Sequence, residues 1–539
     1  YQSTVMRSMT FCNTGLKASN SNVIMDSHAE NTKRIAKNTL MLYVRMLFSM
    51  LVSLYTSRVV LNTLGVEDYG IYNVVGGFVA MFSLISNSLS ASVSRFLTFE
   101  LGRGDMERLK ETFSTSLMIH LALAGLVFIL AESVGVWFLN TQMTIPPERL
   151  YAANWVFQAS VLSFMFGLSS VPYNASIASH ERMSAFAYIG ILDVVLRLLI
   201  VLFIAYVPFQ FDKLIIYSLL LVLVGILLQC IYLWYCRKNF EECRFILHFH
   251  KERWKEMSAF AGWNFIGCTA GLLKDQGVNI LLNLFMGPVV NAARGIAVSV
   301  NTAVTGFAGN FMAAVNPQIT KSYAAEDREY MFSLVERGSR FSFYIMLILA
   351  LPILFETEFI LTLWLKQYPE HTVNFVRLVL ILSLCDILSN TLIVLQNATG
   401  KIRNYQLAVG GMLMMNFPLS YLCLKIGFVP ESTLIVGIVV SVCCLLLRLA
   451  FLRKMVGLSM LGFLKGVCLN VISVAVVAVA IPAFLTSILT CEGWKHFLLM
   501  VSISVLCTVL SVYVVGCSKN ERAFIIQRAC ILRNKLMIR

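Results

Sequence analysis

Fourteen apolar runs of roughly 20 residues dominate this sequence and restrict what it can fold into. A run of that length crosses the hydrocarbon core of a bilayer as an α-helix. The runs lack the polar-apolar alternation of a membrane β-barrel, so helices remain the way to satisfy the backbone in lipid. With 58% hydrophobic and only 13% charged residues, the chain cannot be a soluble globular domain. The sequence therefore predicts an all-α polytopic membrane protein with about fourteen transmembrane helices.

Two distant stretches share one pattern and predict an internal duplication. In RVVLNTLGVEDYG (58–70) and NILLNLFMGPVVNAARG (279–295), an apolar helix ends in Leu-Asn, a Gly follows within four residues, and a Gly-Ile pair opens the next helix. Similar offsets of 221 or 222 residues separate three pairs of residues, which are Asn62 and Asn283, Arg182 and Arg403, and Asp105 and Asp327. A nearly constant offset indicates two homologous halves.

The duplication predicts two six-helix lobes of the same orientation, followed by an extra helix pair. The segments we expect are a disordered N-terminus at 1–38, a first lobe at 39–236, a basic interfacial linker helix at 237–257, a second lobe at 258–453, the extra pair at 454–516, and a basic amphipathic tail at 517–539. Within the lobes, helix 1 is expected to begin at Thr39 and helix 9 at Phe341.

Lys and Arg residues between the predicted helices lie mainly on one side of the membrane. The opposite loops hold only a few, which are Arg149, Lys213, Arg294, Lys366, Lys425 and Lys495. By the positive-inside rule both termini lie in the cytoplasm, which agrees with an even number of helices. The net charge of +14 thus reflects topology, and nucleic acid is not an expected partner.

Basic residues inside the predicted helices are the candidates for a substrate site, because each costs roughly 2.5 kcal/mol or more at a helix centre. They are Arg45 and Arg58 on helix 1, Lys274 on helix 7 and Arg294 at the start of helix 8. The first helices of each repeat commonly flank the cavity of a duplicated transporter, so a cationic chamber for an anion is predicted. Arginine binds phosphate in a planar, bidentate way. For Arg58 and Arg294, near helix ends, snorkelling to the interface is an equally good interpretation.

Two acidic residues inside the helices have a basic neighbour in sequence. Asp193 and Arg197, four residues apart, are expected to neutralise one another. Lys274 and Asp275 point about 100° apart, so at least one of them needs a partner on another helix. Asp275 is therefore a candidate for the cavity wall and for ion coupling.

Asp386 on helix 10 has no opposite charge within a helical turn. Burial of an unpaired carboxylate favours its protonated form. Coupling of transport to H⁺ or Na⁺ through Asp386 or Asp275 is therefore a hypothesis, and a simple hydrogen bond from Asp386 to Ser383 or Asn390 is the alternative.

Small residues on two helices predict close helix packing, namely the serine-rich run SNSLSASVS of helix 2 and Gly410-Gly411 of helix 11. No nucleophile elbow, phosphate loop or metal-spaced cluster is present in the sequence. We therefore expect a transporter rather than an enzyme, with no metal and no cofactor besides a coupling H⁺ or Na⁺.

Four runs of the chain are similar to one known family: SRVVLNTLGVEDYGIYNVVGGFVAMFSLI, SRFLTFELGRGD, GLLKDQGVNILLNLFMGPVVNAARGIAVSVN and NATGKIRNYQ. They resemble Wzx-type polysaccharide flippases of the multidrug/oligosaccharidyl-lipid/polysaccharide exporter superfamily, over about residues 31–452. The resemblance implies two six-helix bundles around a cationic cavity. It also implies that an undecaprenyl-diphosphate-linked oligosaccharide, such as an O-antigen or capsule unit, moves from the cytoplasmic to the periplasmic leaflet by alternating access. The family's intramembrane charges would fall on Arg45, Arg58, Lys274 and Arg294.

The same resemblance implies a location and partners. The location is the bacterial cytoplasmic (inner) membrane, and the partners are the lipid-linked oligosaccharide, the bilayer, and a glycan polymerase or glycosyltransferases of the same pathway. Two alternatives stay open. A multidrug or metabolite cation antiporter of the superfamily would prefer an acidic or neutral cavity, and a membrane polysaccharide polymerase would need a sizeable external loop with catalytic Arg or His.

Overall fold

The computed structural model describes most of the chain, namely residues 31, 34–53, 55–56, 59–60, 63–65, 68, 71–72, 75, 79, 83–141, 145–207, 211–244, 250–486, 493–519, 521–523 and 526. These residues are helical except for short turns and connections, and no strand occurs among them. The prediction of an all-α membrane protein is confirmed.

Fourteen long helices follow one another in the described residues, and we number them in chain order. They are α1 Arg34–Ser53, α2 Ser83–Arg103, α3 Met106–Thr141, α4 Pro147–Ser179, α5 Met183–Tyr206, α6 Lys213–Asn239, α7 Lys251–Met286, α8 Pro288–Ala324, α9 Arg328–Phe355, α10 Thr372–Thr399, α11 Arg403–Ile426, α12 Ser432–Val456, α13 Met460–Thr486 and α14 Trp494–Gly516. A shorter helix, Thr357–Leu365, follows α9.

Twelve of the helices are long and apolar enough to cross a membrane, judged over the described residues. Two predicted spans do not meet these criteria of length and hydropathy. They are the second, which contains α2, and the seventh, which is α7. Helix α2 is rich in serine, and the predicted second span lies partly outside the described residues. Helix α7 is 36 residues long but carries a charged first part and the adjacent pair Lys274-Asp275. The more polar character of these two helices fits helices whose polar side chains face protein or water.

The glycine at each copy of the duplicated corner has a positive φ. Gly65 has φ of 84° and Gly287 has φ of 81°, in the left-handed region that glycine adopts without strain. Gly287 follows the last residue of α7, and Pro288 is the first residue of α8. This is the usual order of a glycine that ends one helix and a proline that begins the next. The prediction that Gly closes the helix is confirmed for Gly287, and for Gly65 it stays a prediction, because residues 66–67 lie outside the described residues.

Two helices begin earlier than the sequence analysis predicts. Helix α1 begins at Arg34 rather than Thr39, so residues 34–38 are helical and their predicted disorder is wrong. Helix α9 begins at Arg328 rather than Phe341. The Asp327 carboxylate accepts a hydrogen bond from the Tyr330 amide (3.2 Å) and so caps α9. Polar helical turns extend both helices beyond their apolar runs, which hydropathy alone does not show.

The predicted linker helix at 237–257 is wrong in the described residues. Helix α6 continues to Asn239, a single turn spans Glu241–Cys243, and α7 already begins at Lys251. Residues 245–249 lie outside the described residues. The basic residues at both ends of this segment therefore belong to the ends of the long helices α6 and α7.

The chain groups into two compact units. The first unit comprises residues up to 80, 120–244 and 313–318, and the second comprises 81–119, 245–312 and the residues from 319 onward. Helices α4, α5 and α6 thus lie in the first unit, whereas α2, α7 and α9 to α14 lie in the second. The six-helix lobes at 39–236 and 258–453 stay a prediction.

The first unit has an apolar core centred on α4 and α6. Phe157, Val161 and Leu214 are buried there, together with Ala131 and Ala153. A second cluster joins α5 to α6 through Val201, Ile204 and their neighbours. Because lipid is as apolar as these side chains, close van der Waals packing rather than exclusion of water holds such helices together.

Within the second unit, α2 and α7 pack through small polar residues. The Ser88 hydroxyl donates to the Ala261 carbonyl at 2.7 Å, and the Asn264 amide donates to the Ser88 carbonyl at 3.3 Å. On the other side of α7, Gly410 of α11 packs against Ala270, where a Cβ would be in van der Waals contact with the alanine methyl group at 3.5 Å. The predicted packing roles of the serine run and of Gly410 are confirmed.

The extra helix pair is joined to α9 in the second unit by polar contacts. Tyr344 of α9 hydrogen-bonds to Asn470 of α13 and to the Gly516 carbonyl of α14. Arg340 of α9 donates to the same carbonyl at 3.0 Å and to Glu521 at 2.9 Å. The pair therefore has one side fixed to the bundle, while many of its other apolar side chains are exposed, as expected of a surface towards lipid.

Candidate functional site

Lys274 lies at the centre of a polar group in the second unit. Its ammonium nitrogen is 3.4 Å from Asp386 Oδ2 of α10 and 4.0 Å from Asp275 Oδ1 of its own helix. The Lys274 side chain is only 11% exposed, whereas that of Asp275 is 63% exposed. The expected partner on another helix is therefore Asp386, and Lys274 is held between two carboxylates.

Asp386 has two partners that sequence spacing does not reveal. Besides Lys274, it accepts a hydrogen bond from the Ser441 hydroxyl of α12, rather than from Ser383 or Asn390. Its side chain is 42% exposed. The prediction that Asp386 is a lone buried carboxylate is wrong, because charge spacing along one helix cannot show a cation on a neighbouring helix. Its role in ion coupling stays a hypothesis.

A buried arginine that sequence reasoning missed continues this polar group along α12. Arg448 is 8% exposed, and it donates to the Tyr405 hydroxyl at 2.9 Å and to the Ser389 hydroxyl at 3.1 Å. It lies near Arg453, at a helix end where basic residues usually face the interface. Its position seven residues after Ser441 could have indicated it, because this spacing places both residues on the same side of α12.

Arg294 is buried and forms no ion pair among the described residues. The residue is 5% exposed, and among the described residues its Nε and Nη1 atoms have no hydrogen-bond partner. Asp275 is the acidic residue whose charge acts on it. The alternative interpretation, in which Arg294 snorkels to the interface, does not fit this burial. A buried guanidinium with free donors is suited to an anionic ligand.

Arg45 belongs to the first unit and lies against α5 there. Its guanidinium stacks over the Phe186 ring, 4.5 Å from the ring centroid. Its side chain also passes Gly190, where a Cβ would come within 2.8 Å of Arg45 Cδ. Tyr232 of α6 is close enough to interact with its charge. Arg45 is therefore half-buried against protein, and Arg58, the second predicted cation of helix 1, lies outside the described residues.

The i,i+4 pair on α5 is present as predicted. Arg197 Nε donates to Asp193 Oδ1 at 2.7 Å. The prediction of mutual neutralisation is confirmed, so these two residues are not candidates for the site.

Two polar clasps, which the sequence analysis does not predict, tie helix starts together. In the first unit, Arg149 in the first turn of α4 binds both Asp68 and Asp212, and Asp212 also caps α6 by accepting from the Leu214 amide. In the second unit, His371 before α10 binds Glu431 before α12 at 2.7 Å. His371 follows Arg149 by 222 residues, so the two clasps occupy corresponding places in the duplication.

The second clasp stabilises a carboxylate in its charged form. Burial alone would raise the pKa of Glu431, but hydrogen bonds from Asn374 (3.1 Å) and His371 outweigh it and hold that pKa below its ordinary value. The Arg149 clasp contains no titrating base and is expected to be insensitive to pH in the neutral range.

Comparison with known proteins connects this helical architecture to a family. A family model described as "Polysaccharide biosynthesis protein" matches residues 35–323, more than half of the chain. The chain belongs to the polysaccharide biosynthesis protein family. Uncharacterized membrane protein EpsK of Bacillus subtilis (strain 168) is 22% identical over 314 residues, which is 57% of this chain and 60% of EpsK. The chain thus matches EpsK over less than two thirds of that relative's length.

Solved structures of transporters share the fold of this polysaccharide biosynthesis protein. A MATE structure in complex with MaD3S matches with a TM-score of 0.68 and 12% identity, covering 79% of this chain and 97% of the other. A MOP-superfamily transporter from Pyrococcus furiosus matches with a TM-score of 0.67 and 13% identity, covering 79% and 95%. At such identities the likeness shows the fold alone. The protein is a multi-pass membrane protein of the polysaccharide biosynthesis protein family, with the fold of these transporters.

Proposed function

We propose that this transporter translocates undecaprenyl-diphosphate-linked oligosaccharide from the cytoplasmic to the periplasmic leaflet of the bacterial inner membrane, by alternating access. A diphosphate with a bulky polar glycan cannot cross hydrocarbon unaided, since burying charge without compensation costs many kcal/mol. A protein that offers fixed cations to the head group lowers that barrier, while the polyprenyl tail stays in lipid. We expect both termini in the cytoplasm, as the charge distribution predicts.

The burial of Arg294 carries this proposal. A guanidinium that is 5% exposed, with two nitrogens unpartnered among the described residues, is costly unless a ligand pairs with it. Arginine keeps its charge at any physiological pH and binds phosphate oxygens in pairs. A diphosphate supplies the charge and the acceptors that this site lacks. Lys274 is proposed as a further contact in the same unit, and Arg45 and Arg58 stay predicted contacts of the substrate.

We propose that Asp386 and Asp275 couple transport to a gradient of H⁺ or Na⁺. Asp386 binds Lys274, so a proton or sodium ion on Asp386 would weaken that ion pair and free Lys274 for the diphosphate. One protein of this fold, the MATE transporter ClbM, is described in complex with Rb⁺. It matches this chain with a TM-score of 0.64 and 13% identity, so its cation supports the hypothesis only by analogy.

A cation exporter is the main competing function, because MATE multidrug transporters share the fold. A cationic drug would be repelled by Arg294 and Lys274, and the free donors of Arg294 would stay unpaired in its presence. This electrostatic argument favours an anionic substrate. A membrane polysaccharide polymerase is the less favoured alternative.

Removing the gene from its host separates these functions, when lipid-linked oligosaccharide is measured in each leaflet. A flippase predicts that complete lipid-linked units build up in the cytoplasmic leaflet, and that the wild-type gene reverses this. Drug hypersensitivity with normal glycan would instead support a cation exporter. Unpolymerised units already exposed on the periplasmic side would support a polymerase.

A further inference from the structure

A cavity of about 640 Å³ lies in the second unit, and neither Arg294 nor Lys274 lines it. It is formed where α2 ends and where α3 and α7 begin. The charge distribution predicts that these ends lie on the cytoplasmic side. Its basic lining residues are Arg95, Arg103, Arg108, Lys251 and Arg253.

Most acidic residues of the cavity wall are already engaged by basic ones. Arg253 binds Glu100 at 2.9 Å and Glu256 at 3.3 Å, and His250 lies 3.5 Å from Glu111. These contacts leave the wall with basic side chains that its own carboxylates do not neutralise.

Arg95 and Arg103 form no ion pair among the described residues. Arg95 is held instead by backbone oxygens, since its Nε donates to the Asn397 carbonyl at 3.2 Å and its Nη2 to the Ala398 carbonyl at 3.1 Å. Hydrogen bonds to neutral carbonyls fix the guanidinium without cancelling its charge.

One aromatic ring holds both arginines. Arg95, Phe99 and Arg103 are spaced four residues apart and share one face of α2. The guanidinium carbons lie 4.7 Å and 4.9 Å from the Phe99 centroid. Two like charges thus stack on the same ring without an ion pair to a carboxylate among the described residues, which preorganises them for a ligand with two anionic groups.

We propose that this cavity captures the diphosphate of the lipid-linked oligosaccharide on the cytoplasmic side, before translocation. The inference rests on the proposed function and adds a second site to it. Arg103 and Arg95 would each bind one phosphate, and Lys251 would add a third cation. A phospholipid phosphate shares this chemistry, but a single phosphate engages two separate guanidinium groups less completely than a diphosphate does.

Site-specific photocrosslinking tests the proposal on the full-length protein in nanodiscs. A photocrosslinking amino acid replaces Glu252, an exposed residue of the cavity wall. The nanodiscs contain phosphatidylglycerol together with undecaprenyl diphosphate. We expect crosslinks to undecaprenyl diphosphate, and we expect Arg103→Gln to lower their yield at least about tenfold, since it removes a charge-assisted contact.

Arg328→Gln is the matched control. Arg328 is exposed like Arg103 and stacks on Tyr323 at 4.7 Å, yet it does not line the cavity. Its removal deletes the same charge and the same kind of aromatic contact, so crosslinking should stay at the wild-type level. Equal loss in both variants would overturn the proposal, as would an unchanged yield in Arg103→Gln. Crosslinking to phosphatidylglycerol alone would assign the cavity to a structural lipid and would equally overturn it.

The two proposals fail in different ways. If removing the gene causes no build-up of lipid-linked oligosaccharide, the proposed function fails whatever the cavity binds. If the build-up occurs but crosslinking does not depend on Arg103, the capture site alone fails.

Discussion

Arg294 combines two properties that rarely coexist in a purely structural residue. It is buried, and two of its nitrogens lack partners among the described residues. A charge in that situation destabilises the protein, so a role in binding is the physical reason to retain it. Replacing Arg294 with an apolar residue is therefore expected to change stability and transport in opposite directions.

Arg294→Leu is expected to leave the melting temperature unchanged or to raise it, because an apolar side chain replaces an uncompensated buried charge. Transport of the lipid-linked substrate should fall at least about tenfold, since a charge-assisted contact to the diphosphate is lost. Thermal melting of the purified protein and a leaflet assay in cells measure the two effects. Normal transport by Arg294→Leu would remove Arg294 from the site.

Lys274 and Asp386 allow a charge-exchange experiment. Lys274→Asp places three carboxylates together and should lower both stability and transport. The double variant Lys274→Asp with Asp386→Lys restores an ion pair and should recover roughly 0.5–3 kcal/mol of stability. Transport should stay low, because the cation then projects from α10 instead of α7. Full transport by the double variant would show that only the ion pair matters.

The site residues were predictable from the sequence to different degrees. Charges inside apolar runs are visible as such, which is why Lys274, Arg294 and Asp386 could be named. Their partners were not visible, since Ser441 and Lys274 reach Asp386 from other helices. Arg448 was missed because its position near a helix end resembles that of an ordinary interfacial residue.

Helix starts in this protein are tied together by polar clasps. Arg149 joins the start of α4 to Asp212 at the start of α6, and His371 joins the start of α10 to Glu431 at the start of α12. Arg149 engages two carboxylates, so its loss leaves two partly buried acids without their basic partner. The clasps should therefore contribute more to stability than ordinary surface ion pairs do.

Arg149→Gln is expected to lower stability by about 1–3 kcal/mol, as the loss of a charged hydrogen-bonding partner does. The control is Arg108→Gln, which breaks a single exposed pair with Asp105 (3.3 Å) and should cost at most about 1 kcal/mol. Thermal melting of both variants in the same detergent makes the comparison. Equal melting temperatures for the two variants would contradict the clasp.

The Glu431 clasp should depend on pH. A carboxylate whose pKa is lowered on folding stabilises the protein above its unfolded pKa of about 4.3, and this contribution is lost as the pH falls through the lowered folded value. Glu431→Gln should therefore melt below the wild type at neutral pH and approach it in strongly acidic buffer. A difference that stayed constant across that acidic range would assign the effect to packing instead.

At the scale of elements, periodicity and composition were informative where lipid contacts dominate. Apolar runs located the long helices, and Gly287 marked the corner between α7 and α8 correctly. Polar extensions were not predictable in this way, since a cap such as Asp327 and the amphipathic turns of α1 lie outside the apolar runs. The linker helix was predicted wrongly for the same reason, because its basic ends continue α6 and α7.

At the scale of the whole molecule, the fold was the most predictable feature. Length and hydropathy of the runs suffice for a polytopic helical protein, and the family match over 35–323 places it among polysaccharide biosynthesis proteins. In our proposal, substrate identity depends instead on a few side chains such as Arg294, whose partners depend on tertiary packing.

Reconstitution in liposomes measures directly whether the protein moves a lipid-linked oligosaccharide between leaflets. The purified full-length protein is placed in liposomes that contain an undecaprenyl-diphosphate-linked oligosaccharide, and a glycosidase added outside reports the glycan that is accessible over time. We expect the accessible glycan in liposomes with the wild-type protein to rise beyond the fraction in the outer leaflet. We expect Arg294→Leu to slow this rise. The proposed translocation would be contradicted if accessible glycan stayed at the level of protein-free liposomes under every imposed H⁺ or Na⁺ gradient.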